Sequence, residues 1–302
     1  MDVYASFDEL LKKEGIKFTV SENLFRHSTI FLGGSADRGV FPSSATELLK
    51  TIDFARICDV KCVVVGAGSN TLFSDSGFRG AVIFTDRLNE IYVERTTRSE
   101  VFVRAMCGAS LSMLNAFCLK ERLTGLEFLS GIPGSVGGAV IMNAGCFEAD
   151  IAKRVMSVYA ETGGKIREFT NAECGFCYRG SKLKQNGDIV ISALFRAKTA
   201  DFDLIKQRLW QYRERRLNQP KGKSLGSIFK NGDIPSAKLI DDCGLKGLRV
   251  GGAFVSTTHA NFIINDGTAS ATDVAELIKY IKTIVKARTG VTLKEEIVYL
   301  GD

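Results

Sequence analysis

Two glycine-rich segments carry the residue types best suited to binding phosphate. One is the run Gly66-Ala67-Gly68-Ser69-Asn70-Thr71, and the other is the apolar segment 125–145 with Gly131, Gly134, Gly137, Gly138 and Gly145. Glycine allows positive φ and close approach of the backbone to a ligand. The turns Pro133-Gly134-Ser135 and Gly137-Gly138 are suited to directing backbone amides at phosphate oxygens. The alternative is that both segments are tight turns between buried strands.

The first segment departs from a Rossmann fingerprint. Gly66 and Gly68 match the first two glycines of G-x-G-x-x-G, but Thr71 stands where the third glycine belongs. Residues 72–78 have turn composition and no helical period, whereas a Rossmann site needs a helix at this point. We therefore predict a phosphate-binding loop of another architecture.

The cysteines indicate a reducing compartment. Cys174-Gly-Phe-Cys177 has C-x-x-C spacing, but the chain has neither a second such pair nor a suitably spaced His for zinc. Its surroundings lack the strand and helix that flank a thioredoxin motif. Most of the eight cysteines lie in apolar stretches, so we expect reduced thiols, a cytoplasmic protein and no bound metal.

Composition favours a folded enzyme or binding protein for small anions. The chain has 302 residues, 45% hydrophobic residues and a net charge of +6 that is spread along its length. A nucleic-acid-binding protein usually concentrates its positive charge in one stripe. No apolar run is long enough to span a bilayer, and the acidic start at Met1-Asp2 predicts no signal peptide.

The order of helices and strands predicts an α+β fold. A capping box at Ser44-x-x-Glu47 begins an amphipathic helix that leads to a strand at 61–65. Strands follow between 80 and 107 and between 156 and 197, with a hairpin at Thr162-Gly163-Gly164. Near residue 200 the pattern changes to charged helices, of which the last covers about 272–289 before a strand at 293–300. Adjacent hairpins argue against a doubly wound sheet.

The basic sequence Arg213-Glu214-Arg215-Arg216 ends one of these helices. Cations at this end are stabilised by the helix dipole, and a solvated helix end is the commoner explanation. The functional alternative is contact with an anionic ligand.

The landmarks together resemble the UDP-N-acetylenolpyruvylglucosamine reductases, in particular their compact second type. The resemblance covers nearly the whole chain and depends on motifs in the family's order: 23–34, 66–70, 131–145, Tyr178-Arg179-Gly180-Ser181, 226–231, Gly251-Gly252-Ala253, 259–262 and Glu295-Glu296. It implies an FAD-binding domain of the vanillyl-alcohol-oxidase (PCMH) type over residues 1–200, with lobes of about 1–60 and 61–200. A substrate-binding domain over 201–302 would follow, with its terminal strand returning to the active site.

The resemblance also implies the reaction and the ligands. Such enzymes transfer a hydride from NADPH through FAD to the enolpyruvyl group of a UDP-sugar, which yields UDP-N-acetylmuramate for peptidoglycan. We expect these small molecules as the partners. We expect no nucleic acid, no membrane insertion and no obligate protein partner.

The catalytic residues follow from the same resemblance. Arg179 would hold the substrate carboxylate, Ser227 would donate a proton, and Glu296 would stabilise the intermediate with Arg179. Taken alone, each of these residues would more simply be a surface charge, a turn hydroxyl or a solvent-facing acid. Glu295 and Glu296 would face opposite sides of a strand, and the motif position favours Glu296.

The resemblance assigns binding roles as well. The cofactor-binding residues would be Gly66, Ala67, Gly68, Ser69, Asn70, Gly134, Ser135, Gly137, Gly138, Asn143 and Gly145, and Asn231 would contact the substrate. To these we add Arg215 and Arg216 as substrate-binding residues. The two arginines are a hypothesis for holding the diphosphate, because the compact type lacks a loop that supplies a tyrosine in longer relatives.

Two alternative functions stay open on the sequence. One is an oxidase or dehydrogenase of the same flavin fold, which needs no NADPH and often carries flavin on a histidine. Neither His27 nor His259 lies in a glycine-rich loop, which disfavours that function. His259 is expected to make a structural hydrogen bond, and His27 either borders the flavin or lies exposed. The other alternative is a non-catalytic binding protein for sugar nucleotides or nucleic acid.

Overall fold

The computed structural model describes residues 3–301, in which helices and strands alternate as in an α+β protein. The α-helices are Val3–Lys13, Ala45–Ile57, Leu111–Lys120, Val136–Ile141, Lys182–Asn186, Phe202–Glu214, Ser236–Asp242 and Ala271–Thr289. Short 3-10 helices occur at Leu24–His27, Glu127–Leu129 and Ile151–Lys153.

The strands form one large antiparallel sheet and several smaller sheets. The large sheet has the order Lys165–Thr170, Val155–Thr162, Ile189–Thr199, Val101–Met106 and Ile91–Thr96, with Leu123–Thr124 also paired to Ile189–Thr199. A four-stranded sheet has the order Lys17–Asn23, Ser35–Phe41, Phe78–Phe84 and Cys62–Val65. The remaining sheets are Arg249–Val250 with Ala253–Val255 and Ile263–Asn265, Gly145–Cys146 with Ala149–Asp150, and the parallel pair Thr71–Phe73 with Val298–Leu300.

The described chain divides into two compact units. The first comprises residues 3–19, 39–67 and 81–217, and the second comprises residues 20–38, 68–80 and 218–301. The helix Phe202–Glu214 belongs to the first unit, because it buries Ile205 and packs on the helix Leu111–Lys120. The compact units therefore do not divide at residue 200. The functional division into residues 1–200 and 201–302 stays a prediction.

Each unit has its own hydrophobic core. In the first unit, one face of the large sheet packs into the core. The directly paired residues Val103 and Phe195 on this face are both fully buried. In the second, the helix Ala271–Thr289 contributes an apolar stripe of Val274, Leu277, Ile278, Ile281 and Val285. This stripe has the helical spacing that the sequence predicts. The helix ends at Gly290, whose φ is +75°.

Three local predictions need correction. The segment 125–145 is not all loop, because Ser135 caps the helix Val136–Ile141. The terminal strand is limited to Val298–Leu300. At Ser44 the predicted capping box is only half formed, because the Glu47 carboxylate accepts from the Ser43 amide instead.

Residues 3–301 lack both a helix suited to crossing a membrane and a cluster of side chains suited to binding a metal. No helix there combines the length and the apolar character needed to cross a bilayer. No group of three or more His, Cys, Asp or Glu side chains there is placed to hold a metal ion.

Candidate active site

Ser227 begins a short extended segment of the second unit that is hydrogen-bonded on both sides. Ser227 bridges to Phe262, and the Ile228 amide donates to the Asn261 carbonyl at 2.9 Å. On the opposite side, the Glu296 amide donates to the Ile228 carbonyl at 2.8 Å. The backbones of Ser227 and Glu296 are thus joined through a single intervening residue.

Asn261 anchors this segment through its side chain. Its Oδ1 accepts from the Phe229 amide at 2.9 Å, and its Nδ2 donates to the Phe229 carbonyl at 2.8 Å. Both residues are almost fully buried, so these bonds replace water at groups that would be costly to leave unpaired. Asn261 therefore fixes the backbone of the segment that begins at Ser227, which the sequence did not indicate.

The two adjacent glutamates have different surroundings. The Glu295 carboxylate accepts from Lys282 Nζ at 2.5 Å. It also bonds the hydroxyl of Tyr299, where burial and then this hydrogen bond raise the pKa. Adjacent residues of an extended segment project to opposite sides, so we expect the Glu296 side chain to face away from these partners. The catalytic role of Glu296 stays a prediction.

Asn70, predicted to bind the cofactor, contacts the segment that carries Glu296. Its Nδ2 donates to the Glu296 carbonyl at 3.1 Å, and its own carbonyl accepts from the Val298 amide at 2.9 Å. The next residues form the strand Thr71–Phe73, which pairs with Val298–Leu300. Asn70 therefore fixes the backbone on both sides of Ile297.

Asn231 has a structural role at a helix start. Its Oδ1 accepts from the Ser236 amide at 3.0 Å, at the first residue of the helix Ser236–Asp242. The Ser236 hydroxyl donates to the Lys230 carbonyl at 2.5 Å. These bonds hold the turn that follows Phe229, and the predicted substrate contact of Asn231 stays a prediction.

Arg179 lies at the tip of a tight turn in the first unit. Cys177 and Gly180 exchange two backbone hydrogen bonds, of 3.0 and 3.2 Å, which close a two-residue loop of Tyr178 and Arg179. The φ of Arg179 is +54°, a strained value for a residue with a side chain and one that occurs preferentially at functional sites. The guanidinium lies 5.2 Å from the centre of the Tyr178 ring.

Two polar side chains hold this turn in place. Asn143 donates from Nδ2 to the Cys177 carbonyl at 3.1 Å and accepts at Oδ1 from the Ala152 amide at 3.0 Å. Ser181 donates to the Ile141 carbonyl at 2.9 Å and also caps the helix Lys182–Asn186. Asn143, predicted as a cofactor contact, thus positions the loop of Arg179.

The glycines of the loop 66–70 are required by close packing. A Cβ on Gly66 would lie 2.1 Å from the Ser135 hydroxyl, and one on Gly68 would lie 1.8 Å from the His27 carbonyl oxygen. The amides of Ala67 and Gly68 have no acceptor within residues 3–301. Ala67 is exposed and Gly68 is buried, and amides of such a loop that have no protein acceptor suit an anionic group such as a phosphate. Ser69 lies in the same loop.

The second glycine-rich segment offers fewer amides than the sequence suggests. The Gly137 amide donates to the Cys107 carbonyl at 2.8 Å, and the Gly138 amide donates to the Ser135 hydroxyl at 3.3 Å. Both amides are therefore engaged within the protein, contrary to the expectation that they face phosphate. Gly134 accepts from the Leu111 amide, and Gly145 packs tightly on Ala149.

Arg215 and Arg216 share Phe147 as a neighbour within the first unit, and each has one further contact there. The Arg215 guanidinium lies 5.3 Å from the centre of the Phe147 ring and 6.0 Å from that of Tyr212. Arg216 donates to the Gly131 carbonyl at 3.4 Å and also lies 5.8 Å from the Phe147 ring. Arg216 thus contacts the second glycine-rich segment.

Both histidines have local partners. His259 accepts at Nδ1 from the Asn261 amide at 3.3 Å, and its ring packs edge-on against Phe262 at 4.9 Å. Burial, assisted by the charge of Lys246, lowers the pKa of His259. His27 lies 2.8 Å from the Glu22 carboxylate. These contacts fit the structural role expected of His259.

Comparison with known proteins decides the family. A UDP-N-acetylenolpyruvoylglucosamine reductase of Carboxydothermus hydrogenoformans is 41% identical over 308 residues, covering 100% of both chains. The corresponding protein of Clostridium novyi is 39% identical, covering 100% of this chain and 97% of its own. The chain belongs to the UDP-N-acetylenolpyruvoylglucosamine reductase family.

Domain and structure comparisons agree with this assignment. Residues 36–163 match the FAD binding domain family, and residues 218–300 match the C-terminal domain of UDP-N-acetylenolpyruvoylglucosamine reductases. The crystal structure of the reductase from Thermus caldophilus is 32% identical, covers 94% of this chain and 98% of its own, and has a TM-score of 0.79. The predictions of an α+β fold, of FAD and of an oxidoreductase are confirmed.

Proposed function

We propose that this protein uses NADPH to reduce the enolpyruvyl group of UDP-N-acetylglucosamine enolpyruvate, forming UDP-N-acetylmuramate for peptidoglycan. The observation that carries the proposal is full-length identity of 41% with a reductase named for this substrate. The joined segments of Ser227 and Glu296 support it, because the reaction needs a proton donor next to a group that stabilises negative charge. The eight cysteines are free thiols, which supports a cytoplasmic location.

The chain's own loops suit the cofactor. The amides of Ala67 and Gly68 would bind the pyrophosphate of FAD, with the segment Gly134–Gly145 alongside the remainder. Bound FAD supplies hydride transfer between the nicotinamide and the substrate carbon. All other steps belong to side chains of the protein.

Three side chains would stabilise the negative charge that forms on the substrate and supply the proton that it takes up. Hydride addition to the terminal methylene carbon of the enolpyruvyl group moves negative charge onto the neighbouring carbon and its carboxylate. Arg179 would bind that carboxylate with its planar set of donors, and a protonated Glu296 would donate a hydrogen bond to the same enolate-like group. The Ser227 hydroxyl would give its proton to the carbon that bears the ether oxygen and would regain one from solvent.

Arg215 and Arg216 are proposed to bind the substrate diphosphate, and Asn231 to contact the substrate. Both arginines carry a positive charge at the end of the helix Phe202–Glu214, and guanidinium groups suit phosphate oxygens.

The experiment that tests the proposal is turnover with a defined substrate. NADPH consumption should depend on added enolpyruvyl-UDP-N-acetylglucosamine, and the product should be heavier than the substrate by two hydrogens. NADPH consumption without that product would refute the proposal.

A further inference from the structure

A concave pocket of the first unit contains Arg215, proposed above as a diphosphate contact, together with three cations that have no role in the reaction described above. It encloses about 310 Å³ and is lined by Phe128, Lys153, Arg154, Arg208, Tyr212 and Arg215, among others. This volume lies at the lower end of the roughly 300–1,000 Å³ typical of small-molecule sites. The pocket therefore has room for part of a nucleotide.

The lining of this pocket contains more cationic than acidic side chains. Lys153, Arg154, Arg208 and Arg215 face only Glu127 and Asp150 among the acidic residues of the lining. Four positive charges against two negative ones in a concavity concentrate a positive potential. The pocket therefore favours an anionic ligand.

Both acids already accept hydrogen bonds from the protein itself. Glu127 is buried and accepts from the Thr124 hydroxyl at 2.5 Å and from the Gly125 amide at 2.7 Å, while Arg208 approaches it only to 3.9 Å. Asp150 accepts from the Lys153 amide at 3.3 Å. The acids consequently neutralise the cations only in part.

Among the cations of the pocket, Arg154 is the one best placed to bind a ligand. Its guanidinium carbon would lie 3.3 Å from a Cβ on Gly125, so glycine at that position lets the side chain pass closely over the backbone. Within residues 3–301, the Arg154 guanidinium forms neither a hydrogen bond nor an ion pair, although the residue is half-buried. By contrast, Arg208 donates to the Thr124 hydroxyl at 2.7 Å.

A strained hairpin places an aromatic ring beside the pocket. Cys146 pairs with Ala149, and the two turn residues Phe147 and Glu148 have φ values of +50° and +65°. Such turns normally use Asn or Gly, and strain of this kind concentrates at functional sites. The Phe147 ring lies 6.2 Å from that of Tyr212, which lines the pocket.

From these observations we infer that the pocket binds the phosphate end of an anionic nucleotide ligand, with Arg154 as its principal phosphate contact. The inference rests on the proposed function, which supplies two nucleotides of this chemistry. One is the phosphorylated adenosine ribose of NADPH, and the other is the diphosphate of the UDP-sugar. NADH serves as a probe because it lacks the extra phosphate.

The test measures binding to the FAD-loaded protein by titration calorimetry, with 2′,5′-ADP and UDP as probes. The variants are Arg154→Ala and Arg154→Lys. The control Lys206→Ala removes one exposed charge from the helix of Arg208 without touching the lining. Loss of a charge-assisted hydrogen bond should weaken the affected probe roughly tenfold. Arg154→Lys should recover part of the loss, and Lys206→Ala should change nothing.

The two probes distinguish the two sources of phosphate. Weaker binding of 2′,5′-ADP alone, with a raised KM for NADPH but not for NADH, assigns the pocket to the hydride donor. Weaker binding of UDP alone assigns it to the sugar nucleotide. Unchanged binding of both probes by Arg154→Ala overturns the inference.

Failure of the proposed function looks different. If the wild-type protein shows no turnover but Arg154→Ala still weakens one probe, the pocket stands and the proposed reaction is wrong. If turnover is present and neither probe responds, the pocket is wrong and the reaction stands.

Discussion

The side-chain amide of Asn70 donates a hydrogen bond of 3.1 Å to the backbone carbonyl of Glu296, 226 residues further along the chain. The same Asn70 accepts from the amide of Val298. A residue of a glycine-rich loop thus fixes the segment that carries the proposed catalytic carboxylate. The predicted cofactor loop is therefore hydrogen-bonded directly to the backbone of the segment that carries Glu296.

Replacing Asn70 should therefore impair catalysis before it impairs cofactor binding. We expect Asn70→Ala to lower kcat about fivefold, because one hydrogen bond of roughly 1 kcal/mol no longer holds Glu296 in place, while FAD content stays near the wild-type value. Steady-state kinetics and the flavin-to-protein absorbance ratio check this. Asn89→Ala, which removes an exposed asparagine bonded to the Asp86 carbonyl, is the matched control. Loss of FAD with unchanged kcat in the loaded fraction would show a cofactor contact instead.

Replacing Glu296 should reduce kcat far more than replacing Glu295. Glu296→Gln should reduce kcat by roughly 10²-fold or more, as expected for a residue acting directly in proton or charge stabilisation. Glu295→Gln should leave kcat within about threefold, because its carboxylate is engaged with Lys282 and Tyr299 at the surface. Rates of substrate reduction measured for both variants show which of the two glutamates acts in the reaction. The reverse order of damage would transfer the role to Glu295.

Removing the arginine pair should affect substrate affinity. Arg215→Ala with Arg216→Ala should raise the KM for the UDP-sugar about tenfold or more while kcat stays nearly intact, since a distant diphosphate contact contributes binding energy to ground and transition states alike. Lys206→Ala again serves as the control. An unchanged KM would remove both arginines from the substrate site.

Asn261 should be critical for stability. Asn261→Ala leaves the amide and carbonyl of buried Phe229 without partners, which should cost about 2–5 kcal/mol. Urea unfolding of the FAD-loaded protein measures the change. Asn89→Ala should cost less than about 0.5 kcal/mol. A loss for Asn261→Ala no larger than for Asn89→Ala would contradict the anchoring role.

His259 should make stability depend on pH in the acidic range. Its pKa is lowered in the folded protein, chiefly by burial, so the unfolded chain takes up the proton first as the pH falls. The free energy of unfolding should therefore decline as the pH drops below about 6.5, the usual value for histidine, until the pH passes the folded-state pKa. His259→Asn should reduce this slope in urea unfolding measured across the range. An unchanged slope would assign the pH dependence to other groups.

Local sequence patterns predicted the long helices and strands well and the short ones poorly. The helix Ala271–Thr289 is evident because its buried apolar residues repeat from Ala271 to Val285, over about four turns. The helix Val136–Ile141 was missed, because six residues with two adjacent glycines carry no periodic signal and glycine disfavours helices. Its existence depends on the Ser135 cap and on buried packing.

The candidate catalytic residues came from family resemblance, and their supports came only from the structure. The bonds from Asn70 to Glu296 and from Asn143 to Cys177 join residues 226 and 34 positions apart. No local propensity encodes such pairs, since they arise from tertiary packing. For the same reason, the sequence predicted both asparagines as cofactor contacts and did not indicate the turn and the segment that they also hold.

The most direct test of the proposed reaction is an anaerobic absorbance titration of the purified protein. A yellow protein should be bleached by NADPH, and enolpyruvyl-UDP-N-acetylglucosamine should then restore the colour. Ser227→Ala should be bleached normally but regain its colour far more slowly, because only the second step needs its proton. A yellow protein that NADPH fails to bleach, or one that the enolpyruvyl sugar nucleotide fails to re-oxidise, would contradict the account.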